Sequence, residues 1–189
     1  MYHIKNDKRV ITSAELIYRG LLNCINRKDF DSITVTELVE EAGVGKATFY
    51  RLFDKKDDVL LYACDKCFDE LLSSYAAVCQ SGEKIPVIKY YVDFLERRKE
   101  LLEVLISLEK LNIIAASHKK AIEKYSEAFF SDMVVGSDEY VCFICMRTGL
   151  LISFIYAWML TGRRLDENEI FDLMLEQIKS FEEKAFCAE

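Results

Sequence analysis

One proline in 189 residues leaves little to interrupt a helix, and seven glycines are few for a chain of tight hairpins or flexible linkers. Long period-two alternation bounded by turn residues is also missing, and with it the usual sign of strands. No apolar run reaches the ~20 residues of a membrane span. The longest, Leu150 to Leu160, is broken by Ser153 and flanked by Arg147 and Arg163. The segment Met1 to Arg9 has no apolar core, so no secretory signal is expected. The only histidines, His3 and His118, are far apart, and there is neither a Gly-x-Ser-x-Gly motif nor a glycine-rich phosphate loop. An enzyme would lack its parts, and none is expected.

What is present is a 51% hydrophobic composition with a formal net charge of −7. This length supports one or two small domains with a real core, and the apolar share excludes disorder. The acidity argues against a surface coated for non-specific nucleic-acid binding, while leaving room for a local basic site. An odd number of cysteines, seven, without an export signal points to free thiols in a reducing cytoplasm.

From Lys8 to Arg27, residues Val10, Ile11, Ala14, Ile17, Tyr18, Leu21, Leu22 and Ile25 recur at helical steps, one face of an amphipathic helix. Lys28 to Ser32 breaks it, and Phe30 is expected to tuck back beneath it. Thr34 and Glu37 can form a reciprocal capping box, with Ile33 and Leu38 as a hydrophobic staple. Gly43 supplies the left-handed residue that ends this helix near Ala42. The pattern restarts at once, with Gly45 as cap and Val44 and Phe49 as a second staple, and runs to Phe53. Two short helices joined by a glycine-containing turn form a helix-turn-helix.

Asp54 is the expected cap of a longer helix that stops at Ser81-Gly82. Helical patterns follow Pro86, then span Leu101 to Ile114 and Ser117 to Val135. After Gly136 a long apolar helix runs to Thr161-Gly162, and Asp166 caps the last one. The fold class is all-α, with about nine helices.

In the third helix Phe49, Leu52 and Phe53 must face the core, which turns Lys46 and Tyr50, and Ala47 and Arg51, to the opposite side. Lys and Arg reach guanine edges or phosphates, Tyr50 can donate to a phosphate, and Ala47 permits close approach or meets a thymine methyl. Lys55 and Lys56 extend the charge into the next helix. Residues 1–62 are net neutral, so the whole −7 belongs to the remainder. Within the neutral part, Val44 to Lys56 carries four basic residues against one acid.

The run Thr34-Val-Thr-Glu-Leu-Val-Glu-Glu-Ala-Gly-Val-Gly-Lys-Ala-Thr-Phe-Tyr-Arg-Leu-Phe53 resembles the helix-turn-helix of TetR-family transcriptional regulators. The match covers roughly the first third of the chain and agrees in order, spacing and flanking helices. Carried over by position, Thr36, Lys46, Thr48, Tyr50 and Lys56 fall on the family's DNA-contacting sites, and Thr34 at the cap joins the DNA-facing set. Gly45 replaces the usual capping serine, and Asp54 stands where a basic residue is common.

The resemblance implies a helix-turn-helix DNA-binding domain over 1–62 and a C-terminal ligand-binding and dimerisation domain over 63–189, the boundary lying inside the fourth helix. It implies a cytoplasmic homodimer on a palindromic double-stranded DNA operator, a repressor released by a small-molecule effector, without cofactor or membrane. Aromatic candidates for the effector pocket are Tyr90, Tyr91, Phe94, Tyr125, Phe129 and Trp158. The apolar load of the last two helices makes Phe154, Trp158, Ile170, Phe171, Met174 and Ile178 the candidate dimer interface. Two further readings stand beside this one. Cys64-x-x-Cys67 and Cys142-x-x-Cys145 could serve a thiol- or zinc-responsive regulator, although both pairs lie in helical patterns and no metal ligand set is assigned. An architectural DNA-binding protein with no ligand is the other.

Overall fold

The computed structural model describes residues 1–4, 7–82, 85, 87–126, 134–162, 164, 166, 168–170, 172–173 and 176. Among them the elements are α1 (Lys8–Ile25), a single 3₁₀ turn (Phe30–Ser32), α2 (Val35–Ala42), α3 (Lys46–Leu52) and α4 (Lys56–Gln80). They continue as α5 (Val87–Glu96), α6 (Lys99–Ser107), α7 (Leu111–Lys124) and α8 (Asp138–Leu160). Among the described residues the only extended pairing is an isolated bridge between Tyr2 and Phe53. The all-α expectation holds.

The inner face of α1, with Ala14, Ile17 and Leu21 fully buried, packs on α2 and α3. Leu38, Phe49, Leu52 and Phe53 close this first core. α4 lies against α1 on one side and against α7 on the other, so one helix belongs to both halves of the molecule. Leu71, Leu72, Leu95, Leu102, Leu105, Ile114 and Ile155 fill the second core between α4 and α8. Each aliphatic side chain so buried contributes about 1.5–3 kcal/mol before ordering entropy is counted.

Three local structures differ from the sequence expectation. Asp54 does not cap α4. The N-cap is Lys55, and the N–H groups of Asp54 and Lys55 donate to the buried carboxylate of Asp58, at 3.2 and 3.1 Å. An acid at the third helical position does the capping, while Asp54 is held by the Met1 amino group and by His3, each at 2.9 Å. Second, the stretch Leu101 to Ile114 is two helices. α6 ends in a turn whose Lys110 N–H donates to the Leu105 carbonyl at 2.7 Å, with Glu109 left-handed at φ 54°. The stop is a Schellman-type turn built on a glutamate, so no glycine marks it. Third, α7 ends at Lys124; the rest of the expected Ser117–Val135 helix includes residues 127–133, outside the described set. Asp166 does accept from the Asn168 and Glu169 amides, at 2.8 and 2.9 Å, as a cap should.

Candidate nucleic-acid interface

The helix-turn-helix is fixed first by local chemistry. Thr34 accepts from the Glu37 amide at 3.2 Å, and the Glu37 carboxylate accepts from the Thr34 amide at 2.9 Å and the Thr34 hydroxyl at 2.8 Å. Lys28, bonded to Glu37 at 2.5 Å, is the main reason its carboxyl is held down to about 2, with the Thr34 amide and hydroxyl adding to it. Being depressed from 4.5, this group supports the fold fully above that pH and ceases to only as the pH falls toward 2. Thr34→Ala should cost about 1 kcal/mol of stability, read as a lowered urea midpoint with an unchanged slope.

Gly43 closes α2 at φ 65°, and Val44 donates to the Val39 carbonyl at 3.0 Å. α3 then starts from Gly45, which offers no side-chain cap. Its seven residues make about two turns, too short to persist alone. Burial of Phe49, Leu52 and Phe53, at 0–1% exposure, holds it in place. The face turned outward carries Lys46, Ala47, Tyr50 and Arg51, all exposed, with Thr48 half-buried at its edge. Tyr50 is 52% exposed, although its ring leans edge-on against Phe49. Thr36, exposed on α2, joins this surface by accepting from the Lys46 ammonium at 3.3 Å. Lys55 is exposed beside it.

Lys56 is placed otherwise. Its ammonium turns inward to the carbonyls of Phe30, Asp31 and Ile33, the last two at 3.0 and 2.8 Å, and sits 4.7 Å from the Phe30 ring centroid. Burial lowers its pKa. It holds the α1–α2 connection against α4, and Lys110 of the α6–α7 turn covers the same ring at 4.9 Å. The acid at Asp54 is partly neutralised, since His3 and the Met1 amino group hold its carboxyl below the usual carboxylate range. The outward face of α3 therefore presents three hydrogen-bonding side chains, two of them cationic, around one small residue. That is the arrangement a recognition helix brings to a major groove.

The other candidate residues lie in the second half. Tyr91 and His118 are buried together, with the Tyr91 hydroxyl 3.4 Å from His118 Nε2 and Thr148 Oγ1 3.0 Å from His118 Nδ1. Tyr90 lies tilted against Tyr75, Phe94 lies under Arg98, and the Tyr125 hydroxyl donates to Asp69 at 3.1 Å. Trp158 stacks on Phe154. None of these residues lines the described grooves, of about 330, 480 and 650 Å³. Phe129 lies outside the described residues, as do Phe171, Met174 and Ile178 of the expected interface. Phe154, Trp158 and Ile170 are buried in this chain's own core, at 3–6% exposure. The outward side of α8 is a different set. Val141, Met146, Leu150, Tyr156 and Leu160 are exposed there, interleaved with Cys142, Cys145, Gly149, Ser153 and Ala157. At mean hydropathy 1.7 in its most apolar window, α8 is long and apolar enough to cross a membrane, while its inner face packs on α7.

The two Cys-x-x-Cys pairs do not share an environment. Cys64 and Cys67 are buried in the core, where desolvation pushes both thiols up, Cys67 to about 12. Cys142 and Cys145 are exposed on the far side of α8. No group of three or more metal-ligating side chains occurs among the described residues.

Residues 17–63 match the family model of bacterial regulatory proteins, tetR family. The whole fold is similar to a solved protein of Listeria innocua, at TM-score 0.74 and 15% identity over 95% of this chain and 96% of that one. It is also similar to a TetR transcriptional regulator from Streptococcus agalactiae, at TM-score 0.57 and 17% identity over 91% and 96% of the two chains. A tetR-family transcriptional regulator from Streptomyces coelicolor gives TM-score 0.51 and 16% identity over 93% and 85%. No curated protein matches the sequence.

Proposed function

We propose that this chain, whose residues 17–63 match the tetR-family model, is a DNA-binding transcriptional regulator of that family, a cytoplasmic homodimeric repressor released by a small-molecule effector. The observation that carries the reading is the outward face of α3, where Lys46, Ala47, Tyr50 and Arg51 stand exposed on a helix whose other side is fully buried. Lys55 and Thr36 flank it as phosphate contacts, whereas Thr34 and Lys56 serve the architecture that positions it. The DNA-binding part spans 1–62 and the effector and dimer part 63–189, joined through α4.

The outer face of α8 supports the homodimer. Small residues at Cys142, Cys145, Gly149, Ser153 and Ala157 let a second helix approach closely, and Met146, Leu150 and Leu160 supply apolar surface. Pairing with a copy also removes a stretch of exposed apolar surface that would otherwise favour aggregation. Two recognition helices carried by such a dimer suit successive major grooves, about 34 Å apart. An effector would act by disturbing the packing of α5, α7 and α8, where Tyr91, His118 and Thr148 form a buried polar group.

Gel shifts test the reading on the duplex that the full-length protein enriches from a random library. Lys46→Ala and Tyr50→Ala should each weaken binding at least about tenfold while leaving the sedimentation of the dimer unchanged. Shifts equal to wild type in both variants would remove the function from α3.

A further inference from the structure

We propose that Tyr2 is a positioning residue for the recognition helix, tying the end of α3 to α7 through the carboxylate of Asp65. The proposal rests on the DNA-binding reading above and adds to it a segment that lies outside the matched family domain.

The strap formed by Met1 to His3 pairs with the C-terminal end of α3. His3 N–H donates to the Leu52 carbonyl at 2.8 Å, and Asp54 N–H donates to the Met1 carbonyl at 3.2 Å. A helix end leaves its last carbonyls without intrahelical partners, and the strap satisfies one of them. The opposite end of α3, at Gly45, has no side-chain cap. His3 also meets the Asp54 carboxylate at 2.9 Å. The Tyr2 ring stands edge-on to Tyr62, with centroids 5.5 Å apart, and Tyr62 stands edge-on to Phe53 at 6.0 Å.

The side chain of Tyr2 reaches the other half of the molecule. Its hydroxyl donates to Asp65 on α4 at 2.6 Å. The same carboxylate accepts from Ser117 at 2.6 Å and Lys120 at 2.5 Å, both on α7. Lys120 lies 3.1 Å from the Tyr2 hydroxyl and over its ring. The Asp65 side chain is only 10% exposed while Lys120 reaches into solvent, so the Tyr2 and Ser117 bonds are the partly shielded ones, charge-assisted and demanding of geometry.

Three elements thus meet on one carboxylate, and one of them holds the recognition helix by its backbone. Ser117 precedes His118, whose ring faces Tyr91 and Thr148. A shift of α7 that rearranges this buried group moves Ser117 and Lys120 relative to Asp65. The strap carries that movement to Leu52 and Asp54. The coupling is reciprocal, because any state that favours one strap position also favours the matching α7 position.

The test uses the full chain, tagged at its C-terminus, and follows amide hydrogen exchange at His3 and Asp54. Tyr2→Phe keeps the ring and removes the hydroxyl; Ser117→Ala alters α7 alone. Both should accelerate exchange at His3 about tenfold, with a smaller rise at Asp54, whose N–H also donates to Asp58, leaving Phe49 and Val59 unchanged. The double variant should be no faster than the faster single one, because both act through Asp65. On the enriched duplex, both should weaken binding about threefold to tenfold with the circular dichroism spectrum unaltered. Wild-type exchange at both amides in Ser117→Ala would overturn the proposal, as would additive effects in the double variant. Should the wild-type chain enrich no duplex, the DNA-binding reading fails by itself, and the exchange result still decides whether α7 holds the strap.

Discussion

Gly20→Ala should destabilise the protein by about 1–3 kcal/mol, although alanine is the better helix former by about 1 kcal/mol. A Cβ on Gly20 of α1 would stand 2.9 Å from the Ala42 Cβ, 3.0 Å from its backbone nitrogen and 3.1 Å from its Cα. Two of these are main-chain atoms of α2 just before Gly43, so no side-chain rotation relieves the contact. α1 and α2 must move apart, and overpacking outweighs propensity. Gly20→Val should cost more. Ala42→Gly removes the Cβ contact and leaves the backbone contacts, so the pair Gly20→Ala, Ala42→Gly should recover only part of the loss. Urea denaturation reads the result as a fall in midpoint at constant slope. A midpoint at or above wild type would show that the two helices are not locked at this crossing.

As the pH falls, the wild-type protein should lose stability more steeply than a chain in which His118 cannot titrate. His118 is 1% exposed, and burial, with Arg147 as a lesser cause, pushes its pKa from 6.5 down to about 3. The unfolded chain takes up the proton as the pH falls through 6.5, whereas the folded chain refuses it until about 3. Stability tied to this group is complete above 6.5 and lost as the pH falls toward 3. At about 1.4 kcal/mol per pH unit, moving from pH 7 to about pH 4.5 at one temperature should cost about 2–3 kcal/mol. His118→Gln retains a partner for Thr148 without titrating. Its stability at neutral pH should be lower, and its acid limb shallower. Parallel acid limbs in the two proteins would mean that His118 is protonated in the fold.

Much of the DNA-binding half was legible because its signals are local. Thr34 and Glu37 sit at capping-box spacing, Gly43 is the residue a left-handed helix end prefers, and the apolar positions of α3 leave only one face for Lys46, Ala47, Tyr50 and Arg51. What escaped the sequence depends on partners distant along the chain. Lys56 reads as a phosphate contact from its position in the sequence, whereas in the fold its ammonium donates to the carbonyls of Phe30, Asp31 and Ile33. The contacts of Tyr2 carry no sequence signal, since they need Asp65, Ser117 and Phe53 brought together.

Other features carried a signal that pointed only part of the way. An isolated glycine inside the α1 pattern marks a close approach without saying to what, and Ala42 answers for Gly20. The end of α6 is hidden because a glutamate takes the left-handed position. For α8, aromatic weight drew attention to Phe154 and Trp158, but bulk does not tell inner from outer face on a helix apolar all round. The small residues between Cys142 and Ala157 instead mark the face of α8 that this chain leaves exposed.

The most direct measurement of the central claim is selection of duplexes from a random library by the full-length protein, followed by footprinting of the enriched sequence. The account predicts an inverted repeat whose half-sites lie one helical turn apart, about 34 Å, protected in the major groove. It further predicts no enrichment by the Lys46→Ala, Tyr50→Ala double variant, although that variant remains a folded dimer. Enrichment of no sequence by the wild-type protein, or of the same sequence by the double variant, would contradict it.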